Sequence, residues 1–227
     1  APADYDIPAV DTVVRGEGCA PFRALVEALE RGAPPEGIAN VLCTGAGWDA
    51  AAAAVGPHFP DPATLPAPRR DLWDRRRYYS VWVSERPRDW QVLFPPVAMV
   101  RTSYGCRMKC SFCVVPFLCG GEHRPRPAES VADEIASLPQ EHVYFADDEN
   151  FIDEGYAAAL ADALEARRVR KRYFAWTRAT TVLRSPELMK RWAGLGLDAA
   201  FMGYEHPTDE ELRSSRKAAT VAVNERS

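Results

Sequence analysis

The spacing of apolar positions changes several times along the chain, and each change marks an element. Asp11-Thr-Val-Val-Arg15 is a short β-type run that ends at Gly16-Glu-Gly18. Over residues 21–31 the spacing becomes helical, with Phe22, Leu25, Val26 and Leu29 on one face and Gly32 as a stop. Residues 38–43 read as a second strand, so this first stretch predicts a β-α-β fragment too small to be a domain alone. Residues 57–96 break the pattern. Prolines 57, 60, 62, 66, 68, 87, 95 and 96 interrupt any long element, and Arg69, Arg70, Arg75, Arg76 and Arg77 cluster among them. This composition predicts a linking strap wrapped over a surface, with Trp73, Tyr78, Tyr79, Trp82 and Trp90 as anchors.

From residue 97 onward, strand and helix patterns alternate. Strands are predicted at 97–102, 142–146, 172–176 and 198–202, and helices at 127–138 and 153–168. Val131, Ile135 and Leu138 form the inward stripe of the first of these helices. Ser185 and Pro186 supply the cap and first position of another helix, and Thr208 to Glu211 has the T-x-x-E capping pattern. Four βα units in series predict an α/β fold with a parallel sheet or partial barrel, its sites at the C-terminal strand ends.

Composition narrows the classes. The chain has 227 residues, 47% apolar and 26% charged, values that suit a globular chain with a core. A net charge of -4 argues against general attraction to nucleic acid. The arginines among the strap's aromatics therefore read as snorkelling side chains over packed rings. No run approaches the roughly 18 apolar residues of a membrane span, and the N-terminal residues lack a signal-peptide pattern. Six cysteines are too few for a disulfide scaffold and three of them are clustered, which favours a reducing, cytoplasmic setting.

The clustered three are Cys106, Cys110 and Cys113, a C-x3-C-x2-C run on the loop after the first barrel strand. Thiolates that close together suit iron or zinc, but three is one short of the four that close a cubane cluster or a structural zinc site. A cluster held by three cysteines leaves one iron open to an outside ligand. Cys119 offers an alternative fourth ligand, which would make a non-catalytic electron carrier or metal-binding module. It reads instead as a small thiol in an apolar loop. Other polar groups fall on the next strand ends: Asp147, Asp148 and Glu149, then Thr177 and Arg178, then Gly203 and Glu205. Singly, each reads as a cap or a solvated charge. Together they point to one site at a barrel mouth.

The cysteine spacing, the strand before it and the βα repeats after it resemble the radical S-adenosylmethionine superfamily. The resemblance implies a partial TIM-like (β/α) barrel over 97–227, with a 4Fe–4S cluster on Cys106, Cys110 and Cys113. S-adenosylmethionine would bind the open iron and be cleaved to a 5′-deoxyadenosyl radical. Phe112 would lie near the adenine, Asp147 and Asp148 near the methionyl amino group, and Arg178, Gly203 and Glu205 would face S-adenosylmethionine. The resemblance assigns no catalytic acid or base.

Val13-Val-Arg-Gly-Glu-Gly18 and the helix after it resemble the close of a cobalamin-binding Rossmann-like domain, with Gly16, Glu17 and Gly18 as cobalamin contacts. Cys19 replaces a second acidic residue usual in that motif. The D-x-H-x-x-G motif is absent, and His58, His123, His142 and His206 lie outside such a setting. The implied division is a domain remnant over 1–56, a linker over 57–96 and an incomplete core over 97–227. The chain starts at Ala1 without Met and shows four strands where the family barrel needs about six, leaving an open sheet edge. It is therefore expected to be a fragment of a longer reading frame. The implied function is a cobalamin-dependent methyltransferase acting on an unactivated carbon of a small molecule. A flavodoxin or ferredoxin would serve as reductant, with no nucleic acid or membrane as partner. The alternatives are a radical cyclase or rearrangement enzyme, and a methylthiotransferase, whose extra N-terminal cysteines the scattered Cys19 and Cys43 do not match.

Overall fold

The computed structural model describes residues 7, 9–43, 59–72, 74–80, 82–83, 92–93 and 95–227. His58 and two expected anchors, Trp73 and Trp90, lie outside the described residues. Contacts divide the chain into two units, Ala1–Thr64 and Leu65–Ser227.

The first unit contains β1 (Thr12–Val14), α1 (Cys19–Glu30) and β2 (Val41–Cys43). The two strands pair antiparallel, Thr12 opposite Cys43 and Val14 opposite Val41, where a βα crossover would have made them parallel. The chain leaves the ladder at Val14 and returns beside it at Val41, and the Arg15 N–H donates to the Asn40 carbonyl at 2.9 Å to close that end. α1 buries Pro21, Leu25 and Ala28, a row at i, i+4 and i+7. The expected stripe is thus rotated: Leu25 is inward, while Phe22 and Leu29 are exposed.

In the second unit the strap turns through two short 3-10 segments, Arg70–Leu72 and Arg75–Arg77, before β3 (Trp82–Val83) and β4 (Val92–Leu93), which pair antiparallel. The strand that follows is β5 (Val97–Val100), the outer strand of the parallel sheet. Arg70 donates to the Met99 carbonyl at 2.6 Å and to Glu134 at 2.5 Å, and the Val97 N–H donates to the Tyr78 carbonyl at 3.1 Å. The strap thereby covers part of that edge, whose open backbone groups would otherwise invite another strand.

After β5 come β6 (Ser103–Tyr104), α2 (Val115–Leu118), β7 (Arg124–Pro125) and α3 (Ala128–Ser137). The alternation continues with β8 (His142–Phe145), α4 (Glu154–Ala166) and β9 (Arg172–Thr177). It ends with α5 (Ala179–Arg184), α6 (Pro186–Leu195), β10 (Leu197–Met202), α7 (Asp209–Ser214) and α8 (Val221–Arg226). The sheet has the order β10-β9-β8-β5 and all of its pairings are parallel, as the pattern predicts. Asp153 caps α4 by accepting from the Tyr156 N–H at 3.0 Å, and Thr208 caps α7 by accepting from the Glu211 N–H.

One face of the sheet is the core. Val100, Val143, Phe145, Tyr173 and Ala175 are closed off by Val131 and Ile135 of α3, Leu160 and Leu164 of α4, and Trp192 of α6. Phe145 stacks on Tyr173 at 5.1 Å, and Trp192 stands edge-on to both. Each such side chain contributes about 1.5–3 kcal/mol by leaving water. The strand alternation therefore puts Met99, Tyr144, Phe174, Trp176 and Phe201 on the opposite, partly open face.

Candidate functional site

The cysteine loop hangs from the ends of β5 and β8. Asp147 is buried and accepts from the Thr102 N–H at 2.6 Å, the Ser103 hydroxyl at 2.8 Å and the Thr102 hydroxyl. Asp148 accepts from the Gly105 N–H at 3.0 Å and pairs with Arg101 at 3.1 Å. Two neighbouring carboxylates thus fix the first residues of the loop. The β6–β7 ribbon, too short to show a period in the sequence, closes the loop behind them.

Gly105 has a φ of +82°, a left-handed conformation. A Cβ there would stand 2.7 Å from Cys119 Cβ and Sγ, and closer still to the Glu122 carbonyl oxygen. Only glycine fits between Tyr104 and Cys106. Cys119 itself is buried, and its sulfur accepts from the Cys106 N–H at 3.4 Å.

Cys106, Cys110 and Cys113 line one pocket of about 180 Å³. Phe112, Asp148, Arg178, Gly203 and Glu205 line it too, so most of the residues singled out in the sequence meet here. Asp147 does not line it, because its carboxylate is spent on Thr102 and Ser103. Gly16, Glu17 and Gly18 follow β1 in the first unit. Gly16 has a φ of +75°, and a Cβ at either glycine would meet no atom of the described residues within 4 Å.

The donor geometry discriminates between metal centres. A tetrahedral ion with metal–sulfur bonds of about 2.3 Å needs its sulfurs roughly 3.8 Å apart. Among the described residues no three Cys, His, Asp or Glu side chains form such a set for one ion. A cubane cluster takes each thiolate on a different iron, so three cysteines spread around one pocket fit it. Cys119 is not among the residues that line the pocket.

Charge around the cysteines is tightly organised. Arg178 is buried. It donates to Cys110 Sγ at 3.4 Å and to the Lys217 carbonyl. Lys217, also buried, pairs with Glu205 at 2.8 Å and lies 5.9 Å from the centre of the Phe112 ring. The Ser111 N–H donates to the Ser215 carbonyl at 2.9 Å, so the segment after α7 is laced onto the cysteine loop. Glu205 has a φ of +67°, uncommon for a residue with a side chain. A Cβ on Gly203 would collide with the Glu205 carboxylate and stand 3.1 Å from Lys217 Nζ, so the glycine makes room for the ion pair.

Glu149 is buried in the wall. Its carboxylate accepts from the Thr177 hydroxyl at 3.1 Å and is also stabilised by the Phe151 backbone N–H and the Arg178 charge. Burial pushes its carboxyl above the ordinary range, as it does the Cys106 thiol. Lys217 carried no signal in the sequence, where it ends a charged run resembling a solvated helix terminus. Trp176 and Phe201 also line the pocket, and the strand period could have found them.

The structure is thus a parallel partial barrel with three cysteines at the mouth formed by its C-terminal strand ends, backed by a buried Arg and Lys. The chain belongs to the Radical SAM superfamily, which matches residues 100–226. It is 29% identical over 216 residues to the hopanoid C-3 methylase of Methylococcus capsulatus, a match covering 95% of this chain and 39% of the methylase. It is similar to the cobalamin-dependent S-adenosylmethionine radical enzyme OxsB, solved with aqua-cobalamin and S-adenosylmethionine bound. That match has a TM-score of 0.67 and 18% identity, covering 94% of this chain and 30% of OxsB. It is also similar to the radical S-adenosylmethionine methyltransferase TsrM from Kitasatospora setae, solved with tryptophan substrate and a S-adenosylmethionine analogue. Here the TM-score is 0.64 at 22% identity, covering 96% of this chain and 43% of TsrM. At these identities the two solved structures establish likeness of fold. The chain spans less than half the length of each of these relatives. Among the described residues no helix is long and apolar enough to cross a membrane.

Proposed function

We propose that this chain is the radical-generating part of a cobalamin-dependent methyltransferase acting on a small molecule. The observation that carries this reading is the meeting of Cys106, Cys110 and Cys113 in one pocket with Glu149, Arg178, Glu205 and Lys217. A pocket holding both signs of charge beside a cluster site suits a ligand with an ammonium and a carboxylate. Cys106, Cys110 and Cys113 would hold a 4Fe–4S centre, which would supply the electron for reductive cleavage of S-adenosylmethionine to methionine and a 5′-deoxyadenosyl radical.

The remaining roles belong to the protein's own side chains. Glu149 and Asp148 accept from the methionyl ammonium, while Arg178 and Lys217 bring positive charge to its carboxylate. The Arg178 guanidinium also donates to Cys110 Sγ, which fixes the direction of that side chain. The exposed Phe112 ring offers a stacking surface to the adenine. Gly16, Glu17 and Gly18 meet cobalamin through their backbone, a role supported by the relatives described as cobalamin-dependent. A flavodoxin or ferredoxin supplies the electron, and the free thiols fit a reducing, cytoplasmic setting.

The test is anaerobic reconstitution with iron and sulfide, followed by dithionite and S-adenosylmethionine carrying a labelled methyl group, with and without hydroxocobalamin. The expected products are 5′-deoxyadenosine and, with the corrinoid present, labelled methylcobalamin. A filled cluster that yields no 5′-deoxyadenosine overturns the radical reading. Radical formation without methylcobalamin overturns the methyltransferase part.

A further inference from the structure

The two buried cations of the cysteine pocket are held differently. Lys217 is answered by Glu205 at 2.8 Å. Arg178, 7% exposed, forms no ion pair among the described residues. Its guanidinium donates to Cys110 Sγ at 3.4 Å, across 68 positions of sequence, and to the Lys217 carbonyl. Its Nε is buried with no acceptor among the described residues. Glu149 in the same wall feels the Arg178 charge without pairing with it, and bonds to the Thr177 hydroxyl instead. Local structure does not account for an arginine here. Arg178 is the residue before α5, where its side chain makes no capping hydrogen bond and a cation opposes the helix dipole.

A guanidinium taken out of water without a paired carboxylate is costly unless another negative group stands beside it. The group beside this one is a thiol that the cluster reading above makes a ligand. Reduction by one electron from an outside reductant adds one negative charge to an iron–sulfur centre and its thiolates. Buried positive charge and N–H donors on the ligand sulfurs favour that reduced form, and both raise the potential at which it appears. Lys217, neutralised by Glu205, adds little to this effect.

We propose that Arg178 is a positioning residue that acts through Cys110, and that its buried charge and its contact with the sulfur raise the reduction potential of the centre held by Cys106, Cys110 and Cys113. The proposal rests on the cluster reading above. It assigns Arg178 a role before S-adenosylmethionine arrives, which is to bring the centre within reach of its reductant.

The test is the potential of the reconstituted intact chain, read from the electron paramagnetic resonance of the reduced centre at fixed poise with no S-adenosylmethionine present. Arg178→Gln is expected to lower the ratio of reduced to oxidised centre about three- to tenfold, at most about 59 mV for a one-electron couple. Arg178→Lys keeps the charge and should fall between that variant and the parent. Glu149→Gln removes the opposite charge and should raise the ratio. An unchanged or raised ratio in Arg178→Gln, no recovery in Arg178→Lys, or a lowered ratio in Glu149→Gln would each overturn the proposal. A second measurement does not depend on how the variants fold. With the guanidino nitrogens of arginine isotopically labelled, pulsed resonance of the reduced parent should show their coupling to the centre, and its absence would overturn the proposed contact. Failure of the parent to take up iron and sulfide would overturn the cluster reading and the proposal with it, whereas full uptake with any of the contrary results above overturns the proposal alone.

Discussion

Gly203→Ala tests the link between a backbone position and the charge in the cysteine pocket. The added methyl collides with Glu205 Oε1, which sits 2.8 Å from Lys217 Nζ. To reach ordinary contact the oxygen must retreat by about 1 Å, which stretches the pair to about 3.8 Å. At an effective dielectric of about 20 the attraction drops from about 6 to about 4.4 kcal/mol, a loss of about 1.5 kcal/mol. The Glu205 side chain is 31% exposed, and solvent screening brings the expected loss nearer about 1 kcal/mol. Urea unfolding of the parent, Gly203→Ala, Glu205→Ala and the double variant gives the coupling between the two sites. Alanine's effect on the unfolded chain enters both arms equally and cancels. In the Glu205→Ala background no carboxylate stands in the way, so the ion-pair loss should vanish. An equal cost for Gly203→Ala in both backgrounds refutes the ion-pair account.

Gly105→Ala should cost about 1–2 kcal/mol for the left-handed backbone and about 1–3 more for overlap with Cys119 and Glu122. It should shift the urea midpoint down and lower the iron bound on reconstitution. Cys119→Ala should cost about 1–2 kcal/mol yet keep the parent's iron content, and an iron loss as large as that of Cys110→Ala would make Cys119 a ligand. Burial holds the His142 imidazole below its ordinary range, and the Arg172 cation adds to this. The unfolded chain then takes up the proton first, so stability is full above about pH 6.5 and falls as pH drops below it, by at most about 1.4 kcal/mol per pH unit. Urea midpoints at pH 7.5 and 5.5 should show a smaller acid loss in His142→Gln, and an equal loss would refute the assignment.

Much of the barrel was legible because its signals are local. Val143 and Phe145, or Tyr173 and Ala175, alternate at the strand period and all face the helices. Thr208 caps the helix its T-x-x-E pattern suggests, whereas the Ser185 side chain, also expected as a cap, accepts no N–H of the helix it precedes. The N-terminal unit was read less well. The apolar stripe of α1 suggested Phe22 and Leu29, but the buried row runs through Pro21, Leu25 and Ala28, and β2 returns antiparallel to β1. A strand pairing direction depends on where the chain returns, which no window of the sequence contains.

Asp147 and Asp148 illustrate the same limit within the site. As adjacent acids on one strand end they look equivalent in sequence. Partners more than forty residues earlier separate them: Thr102 and Ser103 consume Asp147 as a brace, while Asp148, tied to Arg101 and Gly105, still lines the pocket. Lys217 enters only because the chain reverses after α7 and ties back to Ser111 and Arg178. By itself the sequence determined the thiol spacing, the strand and helix periods and the order of the βα units, since each depends on residues a few positions apart. The tertiary structure decided which strand-end charges brace the loop and which face the pocket. Those outcomes follow from pairings across the sheet that compete for the same buried hydrogen bonds.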